Sequence, residues 1–131
     1  MVLLSWLTKM KKIIKFKKNG KLHGLYEEYR DDGELYYKGI YLNGKLHGPY
    51  ECYYDNGQLW FKGNYVNGKR HGVWESYFSN GQLYRKQNWL NGKKHGLREE
   101  YNDAGDLACI RKYMNGKLID GIEYEKKDNW L

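Results

Sequence analysis

From residue 19 onward the chain runs in segments of about ten residues rich in Tyr, separated by short polar stretches that each contain glycine. Within a segment the side chains sort into two alternating sets, as Tyr50, Cys52 and Tyr54 do against Glu51 and Tyr53. A period of two places such sets on opposite faces of a β-strand. The interruptions are of two kinds. Asn-Gly-Lys stands at 19–21, 43–45, 67–69, 91–93 and 115–117, and between these fall Asp32-Gly33, Asn56-Gly57, Asn80-Gly81 and Ala104-Gly105. Asn-Gly and Asp-Gly favour the tight type I′ hairpin turn, whose two central residues both need positive φ. The pattern therefore predicts a meander of nine or ten antiparallel strands.

The turns recur with a period of 24 residues, and independent positions keep the same phase. Asn-Gly-Lys-x-His-Gly occupies 19–24, 43–48, 67–72 and 91–96, with a degenerate copy at 115–121. Leu35, Leu59, Leu83 and Leu107 follow each glycine of the second turn series, and Tyr41, Tyr65, Trp89 and Tyr113 hold one further position. Self-similarity at such a period marks a repeat architecture whose units stack on their neighbours. The fold expected is all-β: tandem β-hairpin repeats forming an elongated, twisted, antiparallel single-sheet solenoid.

Turn positions also predict register. With Asn56-Gly57 as a two-residue loop, Glu51 faces Lys62 and Tyr53 faces Trp60. The first repeat then pairs Glu27 with Lys38 and Tyr29 with Tyr36, and the third pairs Glu75 with Lys86 and Tyr77 with Tyr84. The fourth breaks the pattern, with Glu99 opposite Ile110 and Tyr101 opposite Ala108. On the other face, Tyr50 falls across from Gly63, where its ring can cover bare backbone. That face is the more apolar and is expected to be the concave, packed side. Alternating turn spacings of 13 and 11 residues predict a register slip of two per hairpin, and so a steady coil.

Charge changes the picture at one end. The formal net charge is +7, yet residues 1–22 hold seven lysines and no acid, leaving 16 basic and 16 acidic side chains in the rest. The body is neutral, and the basicity belongs to an arm or cap over 1–18 with Lys9, Lys11, Lys12, Lys15, Lys17 and Lys18. Leu3, Trp6, Leu7, Met10 and Ile14 follow helical spacing, so the arm reads either as a basic amphipathic helix or as a cap on the first hairpin. The apolar run 2–7 is too short to span a bilayer, and its lysines follow it, unlike those of a secretory signal. Cys52 and Cys109 lie five strands apart, about 24 Å at the usual strand spacing. That exceeds disulfide reach and favours reduced thiols in the cytoplasm. The array itself covers 19–121, with a C-terminal cap over 122–131.

The unit NGKxHGxYExYYxNGQLxxKGxYxNGK resembles the MORN-type repeats of bacterial YwqK-like antitoxins over about residues 19–121. For the fold, this resemblance implies hairpins stacked into an open sheet. For function, it implies a cytoplasmic protein that neutralises a toxin. The chain departs from the unit at both ends, with Lys17 where an aromatic is expected and Ile119-Asp120 in place of the histidine.

Candidate chemistry is sparse. His23, His47, His71 and His95 occupy one repeat position, so neighbours stand two strands apart, about 10–12 Å. They cannot converge on one metal whose ligands must lie near 2 Å from it. A structural role in closing the hairpin is expected. The glutamates are spaced likewise and each faces a lysine, which points to pairing and not to acid–base catalysis. No nucleophile with a base and no phosphate loop is visible, so neither an enzyme nor a cofactor is expected. The candidate partner-binding face comprises Tyr29, Tyr36, Lys38, Tyr53, Trp60, Lys62, Tyr77, Tyr84 and Lys86, because exposed aromatics beside paired charges suit a protein interface. The leading reading is a non-enzymatic scaffold that binds a protein, a toxin or effector, as an antitoxin, immunity protein or inhibitor. A phage-encoded inhibitor of a host defence protein is an alternative. Peripheral binding of residues 1–22 to anionic membrane or RNA is a second, and self-association through edge strands a third.

Overall fold

The computed structural model describes residues 11–124. Ten strands follow one another in a single antiparallel sheet whose spatial order is the chain order. They are β1 (Ile13–Lys18), β2 (Lys21–Tyr29), β3 (Leu35–Leu42), β4 (Lys45–Tyr53), β5 (Leu59–Val66), β6 (Lys69–Tyr77), β7 (Leu83–Leu90), β8 (Lys93–Tyr101), β9 (Leu107–Met114) and β10 (Lys117–Glu123). The all-β repeat array expected from the turn period is the observed fold. Among the described residues no helix is long and apolar enough to cross a membrane. Ile14, whose spacing fitted a helix, lies in β1, so the sheet begins within the segment read as an arm. Lys9 and the rest of residues 1–10, like residues 125–131 of the C-terminal cap, lie outside the described residues.

The two turn series differ in a way that residue preference alone did not separate. At Asn19-Gly20 and its equivalents both residues have positive φ, as at Asn43 (50°) and Gly44 (84°), so these are type I′ turns. In the other series only the glycine is left-handed, as at Gly57 (83°). There the Gly57 N–H donates to the Tyr54 carbonyl and the Tyr54 N–H to the Gln58 carbonyl. This is a three-residue loop ending in a left-handed glycine. It shifts the pairing beside the turn by one, so that Tyr53 faces Leu59, and with Trp60 left over as a bulge the expected register resumes at Cys52 and Phe61. Tyr29, Tyr77 and Tyr101 likewise face Leu35, Leu83 and Leu107. The expected Tyr29–Tyr36, Tyr53–Trp60, Tyr77–Tyr84 and Tyr101–Ala108 pairs are thereby replaced.

A second bulge removes the expected slip. Across β3 and β4, Tyr41 pairs with Leu46 and Gly39 with Tyr50, so three residues, His47, Gly48 and Pro49, stand opposite Ile40 alone. Gly48 there has φ 112°, a conformation that side-chain-bearing residues rarely adopt. The two extra residues offset the difference between the 13- and 11-residue spacings. Equivalent positions of successive repeats therefore stay level across the sheet, and register supplies no steady coil. The last hairpin, which lacks the histidine, has a shorter irregularity: Leu118 pairs with Tyr113 and Asp120 with Lys112.

Histidine explains how the bulge is held. The backbone N–H groups of Asn43, Asn67 and Asn115 donate to Nδ1 of His23, His47 and His95, at 3.4, 3.2 and 3.4 Å. The glycine beside each asparagine donates to the carbonyl of Leu22, Leu46 or Lys94. The type I′ turns from Asn43-Gly44 onward are thus tied to the repeat before them. His71 is the exception, its Nδ1 buried without a partner. The opposite ends of the strands are also linked, since the Tyr54 hydroxyl donates to the Tyr77 carbonyl and Asn56 to the Ser79 carbonyl. Such links between neighbours are what a stack of repeats has in place of a central core.

Burial is concentrated on one face. Cys52, Trp74, Cys109, Glu28 and Gln87 are buried, and all belong to the set that alternates with the Glu/Lys set. The bare backbone of Gly63 lies under the Trp74 ring, where a β-carbon would meet Cδ2 at 2.1 Å, and Gly39 lies under Tyr50 at 3.0 Å. Each glycine is covered from the following strand, so Tyr50, although paired with Gly63, covers Gly39.

Candidate functional site

The nine side chains expected to share a binding face are divided between two. Tyr29, Lys38, Tyr53, Lys62, Tyr77 and Lys86 lie on one side. Tyr36, Trp60 and Tyr84 occupy the bulge and turn to the packed side. Trp60 stacks on Tyr54 with ring centres 5.3 Å apart and meets Phe61 edge-on at 5.2 Å. Tyr36 lies under the Arg30 guanidinium at 4.5 Å, and Tyr84 contacts Phe78 at 5.0 Å.

The Glu/Lys side carries one continuous row. Ile14, Glu27, Lys38, Glu51, Lys62, Glu75, Lys86, Glu99, Ile110 and Ile122 are successive pairing partners from β1 to β10. Every lysine of the row sits between two glutamates, and isoleucines close both ends. The hairpin rule exposed only half of these pairs, because the others depend on the two-residue bulge. Tyr29, Tyr53, Tyr77 and Tyr101 donate their hydroxyls to the glutamates two residues earlier, Glu27, Glu51, Glu75 and Glu99. Lys38 forms an ion pair with Glu51 at 3.3 Å. Burial pushes the Glu51 carboxyl up, but the Tyr53 hydroxyl and the Lys38 and Lys62 cations outweigh it, so Glu51 ionises below its ordinary value. Beside the row, Leu25, Ile40, Val73 and Leu97 are exposed. A shallow recess of about 230 Å³ lies among Leu25, Lys38, Ile40 and Pro49.

The packed side changes character along the array. Over the first two repeats, Tyr26, Tyr37, Tyr50 and Phe61 form a continuous stack with centres 5.5 to 6.1 Å apart. Tyr65 and Trp74 complete it edge-on at 5.0 Å. Over the next two, the positions of Leu46, Tyr50, Phe61 and Gly63 are taken up, one period later, by Arg70, Trp74, Arg85 and Gln87. A recess of about 250 Å³ opens there, between Trp60 and Trp89 and alongside Arg70, Arg85 and Arg98.

Those repeats match a known pattern. Residues 22–43, 46–67 and 70–91 each match the MORN repeat variant. The chain belongs to the MORN repeat variant family. Comparison with curated proteins finds no match. Among solved structures, the chain is similar to TarM and to a substituted S. aureus TarM in complex with fondaparinux, alpha-GlcNAc-glycerol and UDP. Each is 12% identical with a TM-score of 0.49, covers 90% and 89% of this chain respectively, and has 22% of its own length covered.

In this MORN array the lysines of the basic segment are partly engaged. Lys11 pairs with Glu28, whose carboxyl it holds below its ordinary value. Lys12 lies over the Tyr29 ring at 4.6 Å. Lys15, Lys17 and Lys18 are exposed along β1. Cys52 and Cys109 are both free and buried. Among the described residues no group of three or more His, Cys, Asp or Glu side chains is placed to hold a metal ion.

Proposed function

We propose that this MORN array is a non-enzymatic scaffold that binds a protein partner, acting as an antitoxin, immunity protein or inhibitor that neutralises the protein it holds. The observation that carries this reading is the Glu/Lys row flanked by exposed Leu25, Ile40, Val73 and Leu97. Alternating charge at fixed spacing gives register to a complementary surface, and apolar side chains beside it give area to bury. The contact surface comprises Tyr29, Lys38, Tyr53, Lys62, Tyr77 and Lys86 over the first three repeats. The free, buried cysteines fit a reducing compartment, and we place the protein in the cytoplasm.

The test is a pull-down with the tagged chain from its host, followed by affinity measurement against the captured protein. Reversing Lys38, Lys62 and Lys86 to Glu, with Val73→Glu, should weaken the complex at least about tenfold while the strand content stays unchanged. Unaltered affinity would move the interface off this face.

A second reading rests on Lys15, Lys17 and Lys18, exposed on the first strand with no acid beside them in sequence. They suit an anionic membrane surface or RNA, and they also guard an open sheet edge against strand addition. Removing residues 1–18 would take β1 with it, so the three lysines are better exchanged for glutamate. Loss of vesicle or RNA binding supports attachment; unchanged binding, with new self-association in light scattering, supports edge protection.

A further inference from the structure

We infer that the packed face over repeats three and four is a second binding surface, and that it takes an acidic protein segment. This goes beyond the Glu/Lys face, from which it is separated by the thickness of the sheet.

The cations there are not required by the fold. Arg70, Arg85 and Arg98 stand where earlier repeats place Leu46, Phe61 and Tyr50. The same backbone therefore accepts apolar side chains at each position. Charges that a fold does not need, held at a cost in desolvation, point to a ligand.

They are also under-compensated. A single carboxylate oxygen, Oε1 of Glu100, is shared by Arg98 at 2.5 Å, Arg85 at 3.3 Å and Arg111 at 3.5 Å. Arg111 reaches Glu123 as well, at 3.1 Å. With Arg70 and Lys94, five cations meet two acids among the described residues. Nε of Arg98 is buried without a hydrogen-bond partner.

Geometry selects the kind of anion. The Arg70 guanidinium lies over both Trp74, at 4.5 Å, and Trp89, at 5.0 Å, and that of Arg85 lies over Tyr84 at 4.8 Å. A guanidinium over each ring takes one of its faces and so reduces the surface open to a stacking nucleobase. The guanidinium groups, held over the rings, carry paired N–H donors that match carboxylates. Arg98 and Arg111 are direct pairing partners on β8 and β9, Arg85 pairs with Glu100 two residues along from Arg98, and Arg70 lies further along β6, two residues beyond the Gly72–Trp89 pair. Cations spread over four strands, and along them, are more than one small anion can use, and suit several acidic side chains along an extended segment. Trp60, 40% exposed at the margin of the recess, offers an apolar contact to the same segment.

The probe is a fluorescein-labelled peptide of alternating Glu and Leu, compared by anisotropy with a Lys/Leu peptide and a single-stranded RNA of similar length. The full chain should bind the acidic peptide, with affinity falling steeply as salt is added, and should bind the RNA more weakly. Arg70→Gln with Arg85→Gln should weaken the peptide at least about tenfold. Lys94→Gln with Arg98→Gln, a second pair, guards against a folding defect in the first. The Lys38, Lys62 and Lys86 reversal should leave peptide binding unchanged, so each face can fail without the other. No binding of the acidic peptide, binding by both substituted pairs as tight as that of the unsubstituted chain, or tighter binding of RNA would overturn the proposal.

Discussion

The two halves of the packed face share one backbone and solve its burial in opposite ways. Over repeats one and two, tyrosine rings stack across strands and Tyr50 covers bare Gly39. Over repeats three and four, arginines lie on tryptophan and tyrosine rings and crowd around Glu100. A one-layer sheet has no second layer to bury against, so each face must supply its own cover. Stacked phenols do so with apolar area, whereas guanidinium groups over rings do so while keeping charge at the surface. The first half is built chiefly for cohesion. The second gives up some cohesion and gains electrostatic reach.

Removing the side chain at the seam between the halves should have the largest effect. Trp74 is buried, covers Gly63 and donates its indole N–H to the Asn64 carbonyl at 3.1 Å. Trp74→Ala should cost about 3–5 kcal/mol in urea unfolding. Arg98→Ala, one period later, should cost less than half of that; equal losses would erase the distinction between the halves.

Alkali should separate the halves next. Burial is the leading cause that lifts the phenols of Tyr37, Tyr41, Tyr50, Tyr53, Tyr54 and Tyr77 above their ordinary value of 10.0. Below pH 10 these groups are neutral whether the chain is folded or not. Above it the unfolded chain loses protons that the sheet still holds, so stability falls as pH rises. Five of the six belong to repeats one and two, which should open first. Tyrosinate absorbance should then rise together with the loss of sheet signal in circular dichroism; ordinary phenol titration with the sheet intact would remove this expectation.

Glu100→Gln tests the charged half. With the shared carboxylate neutralised, Arg85, Arg98 and Arg111 are left facing one another, and stability should drop by about 1–2 kcal/mol at low salt. Added chloride should restore part of the loss by screening. A loss insensitive to salt would mean that Glu100 acts by packing alone.

Lys62→Ala is the smallest perturbation. It interrupts the charged row, but exposed ion pairs contribute little, so the change should stay below about 1 kcal/mol. A larger loss would show that the row, and not the packed face, sets the stability of both halves.

Much of this was legible in the chain. The turn period, the strand count and the hairpin pairs Glu51–Lys62 and Cys52–Phe61 follow from residues close in sequence. The Tyr53–Trp60 pairing did not survive, because the second turn series adopts a three-residue loop and bulges Trp60 to the other face. The charged row was half visible, since its remaining links wait on the bulge at His47 and Gly48. The arginine recess was missed, although a signal was present: Leu46, Tyr50 and Phe61 give way to Arg70, Trp74 and Arg85 one period later.

By itself, then, the sequence determined the elements and their order. Asn-Gly turns and alternating side chains act within a few residues, and their φ preferences need no distant partner. Only the tertiary structure decided which side chains share a face and whether register drifts. Those depend on the bulges, and at His23, His47 and His95 the bulge is held by an N–H that the next repeat brings to it. A bond between residues 20 apart in sequence exists only after the sheet has formed.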